Sequence, residues 1–146
     1  MHAADVLFVY GTLRRGGSND IARIAPAASW VATARIRGRL FDVNGSWPAL
    51  VLDEAAGWVS GELYQVPEAA WPALDALEDP VRPDHPDGAY FKLAASVEYA
   101  GGLRMATVYT ANPAMTPLKT WIASGDWMAY VAAMPPATRS AVKGPP

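Results

Sequence analysis

Cysteine is absent from this chain of 146 residues, and histidine occurs only twice, as His2 and His85. The missing thiols exclude disulfides, thiol nucleophiles and thiolate metal sites together, and they fit a reducing, cytoplasmic setting. His2 stands at the start of the chain and His85 within a Pro-Asp-His-Pro-Asp segment. With carboxylates that show no ligand spacing, they leave no metal site to expect. No apolar run approaches the length of a membrane span. The opening run, Val6 to Tyr10, lacks a preceding Lys or Arg and is too short for a signal-peptide core. A formal charge of -2, with no long basic stretch, leaves no electrostatic footprint for nucleic acid. No Gly-x-Ser-x-Gly elbow is found either, which removes the commonest serine hydrolase signature. Proton-transfer chemistry in such a chain falls to a carboxylate, a lysine or a tyrosine.

What is present is globular: 51% hydrophobic residues, 18% charged and six tryptophans. Tryptophans of this kind serve more often as core than as stacking surfaces for a ligand. Residues 1–134 read as a single domain and 135–146 as a Pro/Ala-rich tail, with no repeat or linker between. Val6–Tyr10 reads as a buried central strand. A glycine-rich loop follows over residues 11–18, and Asn19–Ile24 suits a short helix. Trp30–Val43 reads as a long strand with Arg35, Arg37 and Arg39 opposite Ile36, Gly38 and Leu40. Asn44-Gly45 marks a turn, and strands are expected at Ala49–Leu52 and Val59–Val66. Tyr90–Tyr99 and Arg104–Thr110 form a hairpin around Gly101-Gly102, and Ser124–Met134 a closing helix capped by Ser124 or Asp126. Strands with a few short helices inserted indicate an α+β fold built on a curled mixed sheet or partial barrel.

Glu78 is the carboxylate whose position is unusual. In a helix starting near Ala70, Trp71, Leu74 and Glu78 fall at i, i+3 and i+7, so the apolar face carries Glu78 towards the core. Pro80 stops the helix just beyond it, and the negative end of the helix dipole disfavours its charge. Desolvation and the dipole both raise a carboxyl pKa towards the general acid/base range. The alternative is a glutamate at a frayed helix end with its carboxylate in water.

The loop after the first strand has the glycine spacing of a P-loop, but Gly17 stands where the phosphate-binding lysine belongs. Its backbone N–H groups suit an anion or oxyanion; a tight turn with no ligand is the other reading. Glu62 is either a second active-site carboxylate or a solvated strand glutamate. Asp42 and Asp126 read as a turn residue and a helix cap.

Several blocks, in order, carry a resemblance. They are Val9-Tyr10-Gly11-Thr12-Leu13-Arg14-Arg15-Gly16, Gly38-Arg39-Leu40-Phe41-Asp42, Trp47-Pro48-Ala49-Leu50 and Val59-Ser60-Gly61-Glu62-Leu63-Tyr64. Leu74-Asp75-Ala76-Leu77-Glu78 and Gly125-Asp126-Trp127 with Tyr130 complete the set. Together they resemble the gamma-glutamyl cyclotransferase-like family over about residues 6–131. The resemblance implies a small β-barrel-like α+β fold. Its cavity is floored by the Tyr10–Leu13 loop and faced by Glu78 as the catalytic residue, with Tyr10, Gly11, Thr12 and Leu13 binding substrate. It implies ring closure of a small gamma-glutamyl compound to 5-oxoproline with release of an amine, and no cofactor. A non-catalytic small-ligand binding domain of the same fold is the alternative. Two positions depart from the family pattern. Asp79 replaces a frequent glycine and adds a negative charge beside Glu78, and Lys92 replaces an arginine able to grip a carboxylate in bidentate fashion.

Overall fold

Every residue of the first strand, Val6–Val9, is buried because both of its faces are covered. Successive side chains of a strand leave opposite faces. Val6 and Phe8 accordingly pack with Ile36, Leu40, Leu63 and Val108, while Leu7 and Val9 pack with Leu13, Leu74, Tyr90 and Tyr109. The first group fills a closed sheet and the second lies between that sheet and the helices outside it. A computed structural model describes residues 5–135. The expected tail at 135–146 therefore lies, except for Pro135, outside the described residues.

In chain order the elements are β1 (Val6–Val9), α1 (Ile21–Ile24), β2 (Ser29–Val43), β3 (Trp47–Leu52) and β4 (Trp58–Gln65). A 3-10 turn (Glu68–Ala70) leads into α2 (Trp71–Glu78), followed by β5 (Tyr90–Tyr99), β6 (Gly102–Ala111), β7 (Thr120–Trp121) and α3 (Trp127–Ala132). The strands neighbour one another in the order β2-β4-β1-β6-β5, and β5 returns to β2 through Ala34↔Tyr99 and Arg35↔Glu98. This closes a five-stranded barrel, mixed because β1 runs parallel to β6 and antiparallel to β4.

β2 is long because its two halves have different partners: Ser29–Arg37 pairs with β4 and Gly38–Val43 with β3. Its outward arginines are used on the surface. Arg35 and Arg37 lie 3.9 and 3.8 Å from the centre of the Trp58 ring, and Arg39 pairs with Asp53. Asn44 and Gly45 both take positive φ in the turn to β3, which begins at Trp47, two residues before the sequence suggests.

The helices are shorter than their expected spans, and each is ended by local chemistry. Asp20 caps α1, and Asp126 rather than Ser124 caps α3, accepting from the Ala129 N–H at 3.2 Å. β7 was not anticipated, since two residues carry no periodicity; it exists because Thr120 and Trp121 pair with Asp42 and Phe41. Of the tryptophans, only Trp127 is fully buried; Trp30 and Trp121 are exposed, and the others are half-buried. No helix among the described residues is long and apolar enough to cross a membrane.

Candidate active site

The eight residues of α2 decide where Glu78 points. Pro72 is tolerated in the first turn, where its missing N–H has no helical partner. Leu74 and Glu78, one turn apart, are the buried residues of the helix. Leu74 anchors the helix against Tyr90 and Tyr109 on the outside of the barrel, and Glu78 follows onto the same buried side. The helix ends where Asp79 adopts the left-handed conformation (φ 54°, ψ 61°), its N–H donating to the Asp75 carbonyl at 2.8 Å. The chain then doubles back: the Ala89 N–H donates to the Asp79 carbonyl at 2.7 Å, and the Val81 N–H to the Tyr90 carbonyl at 2.8 Å. These bonds bring Tyr90, at the start of β5, alongside Glu78.

Glu78 faces a small cleft of about 30 Å3 lined by Phe8, Val9, Tyr10, Gly11, Leu13, Pro48, Tyr90 and Tyr109. Only 5% of the residue is exposed. Its pKa is pushed up to about 8, first by burial and second by the Asp75 carboxylate one turn earlier; among the described residues no hydrogen bond to the carboxylate opposes them. Burial does the larger part because a charged carboxylate loses its hydration there without a compensating donor. The expected contribution from Asp79 is not found. That carboxylate is half exposed, and its Oδ1 lies 2.9 Å from His85 Nε2.

Three phenols surround the carboxyl. The Tyr10 hydroxyl donates to the Tyr109 carbonyl, Tyr90 to the Pro48 carbonyl at 3.2 Å, and Tyr109 to Asp75 Oδ1 at 2.7 Å. Burial raises all three pKa values, with the Glu78 charge contributing to each, so all remain protonated donors near neutrality. Lys92 is not in this wall. Its ammonium contacts both Asp75 oxygens, at 3.0 and 3.1 Å, and lies 4.5 Å from the centre of the Trp71 ring.

The glycine-rich loop leaves β1 directly into the cleft. Its later amides are engaged within the protein: Arg14 to the Gly11 carbonyl, Arg15 to Glu62, Gly16 to Asp20 and Gly17 to the Arg14 carbonyl. The amides of Gly11, Thr12 and Leu13 have no such acceptor among the described residues. Tyr10, Gly11 and Leu13 line the cleft, as Glu78 does. The Thr12 side chain does not: its hydroxyl accepts from Asn19 Nδ2 at 3.3 Å, away from the cleft.

Glu62 is neither a second active-site carboxylate nor a solvated one. It is buried behind the loop, accepting from Arg14 Nε at 3.1 Å, the Arg15 N–H at 2.8 Å and the Tyr64 hydroxyl at 2.9 Å. Arg14 also reaches the α3 cap, with Nη1 3.0 Å from Asp126 Oδ1, so one guanidinium ties the loop to β4 and to the closing helix. Among the described residues no cluster of histidines and carboxylates is assembled to hold a metal.

Sequence reasoning assigned no site role to Pro48, Tyr90 or Tyr109. Pro48 stands in a segment already quoted for the resemblance, which was a usable signal, and Tyr90 stands two residues before the departure at Lys92. Tyr109 sits in an apolar strand and carried none.

A closed mixed barrel with a buried carboxyl facing a glycine-rich loop defines a small class of proteins, and comparisons place the chain within it. The chain belongs to the family described as gamma-glutamyl cyclotransferase, AIG2-like, whose sequence profile matches residues 7–129. It is 32% identical over 106 residues to the gamma-L-glutamyl-butirosin B gamma-glutamyl cyclotransferase of Niallia circulans, covering 73% of this chain and 66% of that protein. It is 34% identical over 93 residues to a Halalkalibacterium halodurans protein whose gamma-glutamylcyclotransferase name is provisional, covering 64% of this chain and 80% of the relative. Among solved structures, Bacillus subtilis YkqA superimposes with a TM-score of 0.68 at 29% identity over 86% of this chain; the match spans 40% of that longer protein.

Proposed function

We propose that this chain is a gamma-glutamyl cyclotransferase acting on a small gamma-glutamyl amide or amine, with Glu78 as the proton shuttle. The observation that carries the reading is Glu78 itself: a buried carboxyl with a pKa near 8, facing the unpartnered amides of the Tyr10–Leu13 loop across one cleft. A carboxyl in water serves none of these purposes, and the burial of Glu78 favours catalysis over passive binding.

The substrate's own α-amino nitrogen attacks the side-chain carbonyl carbon, forming the ring C–N bond. The oxygen becomes an oxyanion in the tetrahedral intermediate. When the carbonyl re-forms, the bond to the departing amine breaks, giving 5-oxoproline and the free amine. The α-ammonium loses two protons on becoming the lactam N–H: Glu78 takes one before the attack and passes it to the leaving nitrogen as its bond breaks. The second, lost from the ring nitrogen, departs with the amine as its ammonium, so no net proton is consumed. A carboxyl titrating at about 8 lies within a unit or two of an α-ammonium, so the transfer costs little in either direction. The amides of Gly11, Thr12 and Leu13 hold the oxyanion or the substrate α-carboxylate. Because the attack is intramolecular, holding the chain folded over the cleft supplies much of the acceleration.

The experiment is incubation with a panel of gamma-glutamyl dipeptides and gamma-glutamyl amines, with mass spectrometric detection of 5-oxoproline. Formation of 5-oxoproline from at least one member supports the reading. Tight binding without turnover across the panel favours a ligand-binding domain of the same fold.

A further inference from the structure

Among the described residues, Asp75 joins the helix that carries Glu78 to the opposite wall of the cleft. It stands one turn before Glu78 on α2, and it accepts from the Tyr109 hydroxyl, which belongs to the cleft wall on β6. Its other partner, Lys92, is the direct cross-strand neighbour of Tyr109 in the β5–β6 pairing, so ammonium and phenol leave the same face and converge on one carboxylate. Trp71 covers the ammonium from the first turn of the same helix. The bonds thus form a closed circuit from α2 to β5, across to β6, and back to α2.

We propose that Asp75 is a positioning residue of this site: it holds the Tyr109 phenol in the cleft wall and, with Lys92 as counter-charge, sets the field that Glu78 meets. The inference rests on the proposed role of Glu78, although its test does not require turnover. The groups facing Glu78 make the assignment specific. Tyr10 at the end of β1, Tyr90 on β5 and Tyr109 on β6 are neutral, and Asp79 is turned towards His85. Asp75 is therefore the nearby carboxylate whose charge reaches Glu78, as the direction and causes of its titration agree. Lys92 contacts both oxygens of that carboxylate and is its counter-charge. A lysine suits this task because it is a compact point charge directed at one carboxylate, and gripping a planar substrate group in two places is not required of it.

A bridge that merely fastens α2 to β5 predicts something different: its loss lowers stability and leaves the titration of Glu78 where it was. The test is the titration of the Glu78 carboxyl followed by carbon NMR in protein labelled at glutamate side chains, assigned with Glu78→Gln and repeated in two variants. Asp75→Asn removes the negative charge and keeps an acceptor for Tyr109; the Glu78 titration should move down by about one pH unit. Lys92→Met removes the counter-charge and should move it up by about half a unit to one unit. Lys92→Arg should restore the wild-type position. The acid limb of the kcat/KM profile should move in the same two directions. Opposite shifts support the proposal; an unmoved Glu78 titration in both folded variants overturns it. Should Asp75→Asn fail to fold, Lys92→Met against Lys92→Arg decides alone. Absence of 5-oxoproline from every panel substrate overturns the proposed reaction and leaves the NMR result standing.

Discussion

Gly11 and Pro48 approach so closely that a β-carbon on residue 11 would stand 2.8 Å from Pro48 Cδ and nearer still to Cγ. Glycine is required there by contact across the cleft, with no demand from backbone conformation. Because both residues line the cleft, the contact sets the distance between the loop amides and the β3 wall.

Gly11→Val should therefore force the proline ring and the loop apart. Overpacking of this kind costs about 1–3 kcal/mol, readable as a lowered Tm. Substrate affinity should fall as well, because the amides of Gly11, Thr12 and Leu13 are displaced. A folded Gly11→Val protein that retains wild-type affinity removes the loop from the binding site.

Glu78→Gln should abolish ring closure, with a loss of about 10²–10⁴-fold from the missing proton transfer, and leave substrate binding largely intact. Its effect on stability depends on pH. Glu78 titrates near 8 in the folded protein against an ordinary value of 4.5, so between these pH values the folded state binds more protons than the unfolded state. Stability from this group is complete below about 4.5 and declines as pH rises, until the carboxyl ionises above about 8. The amide has no such dependence. Denaturant titrations should show the two proteins alike in this respect near pH 4, with the variant gaining as pH rises, up to about 5 kcal/mol by pH 8.5. Equal turnover by the two proteins removes Glu78 as the proton shuttle.

Asp79→Gly should raise stability by roughly 0.5–1 kcal/mol. The residue ends α2 at φ 54°, where a side chain crowds the backbone and glycine does not. The same conformation gives a physical reason for the glycine that the family resemblance leads one to expect at this position. The loss of the Asp79–His85 contact subtracts little, because Asp79 is half exposed. Thermal unfolding at pH 8 measures the difference.

Arg14→Met should be costly out of proportion to its place in a loop. It leaves Glu62 buried with an uncompensated charge and cuts the tie to Asp126, a loss of about 3–5 kcal/mol by analogy with broken buried pairs. Loosening of the loop should also raise KM more than it lowers kcat. Unfolding midpoints and steady-state kinetics together test both halves of that expectation.

Much of this protein is governed by local pattern, and that part could be read from sequence. Val6–Val9 is apolar on both faces because both faces are covered, and the run announces this without knowledge of what covers them. Leu74 and Glu78 share a face because helical geometry alone puts residues four apart on one side. The Asn44-Gly45 turn follows from the same short-range rules. What escaped depends on which strands lie side by side. Tyr109 reaches Asp75 because β6 pairs with β5 in a register that sets Tyr109 against Lys92, and because β1 runs parallel to β6. Glu62 became an anchor because Arg14 folds back over β4, and the second charge beside Glu78 proved to be Asp75, since the left-handed turn at 79 carries Asp79 out towards His85. The sequence by itself determined the burial of β1, the helix that carries Glu78 and the glycine-rich loop after β1, because each is written in residues a few positions apart. Closure of the barrel alone decided the three phenols, the Gly11–Pro48 contact and the Lys92–Asp75–Tyr109 circuit. Each of these is a contact between distant segments, and no short-range periodicity encodes the register that makes it.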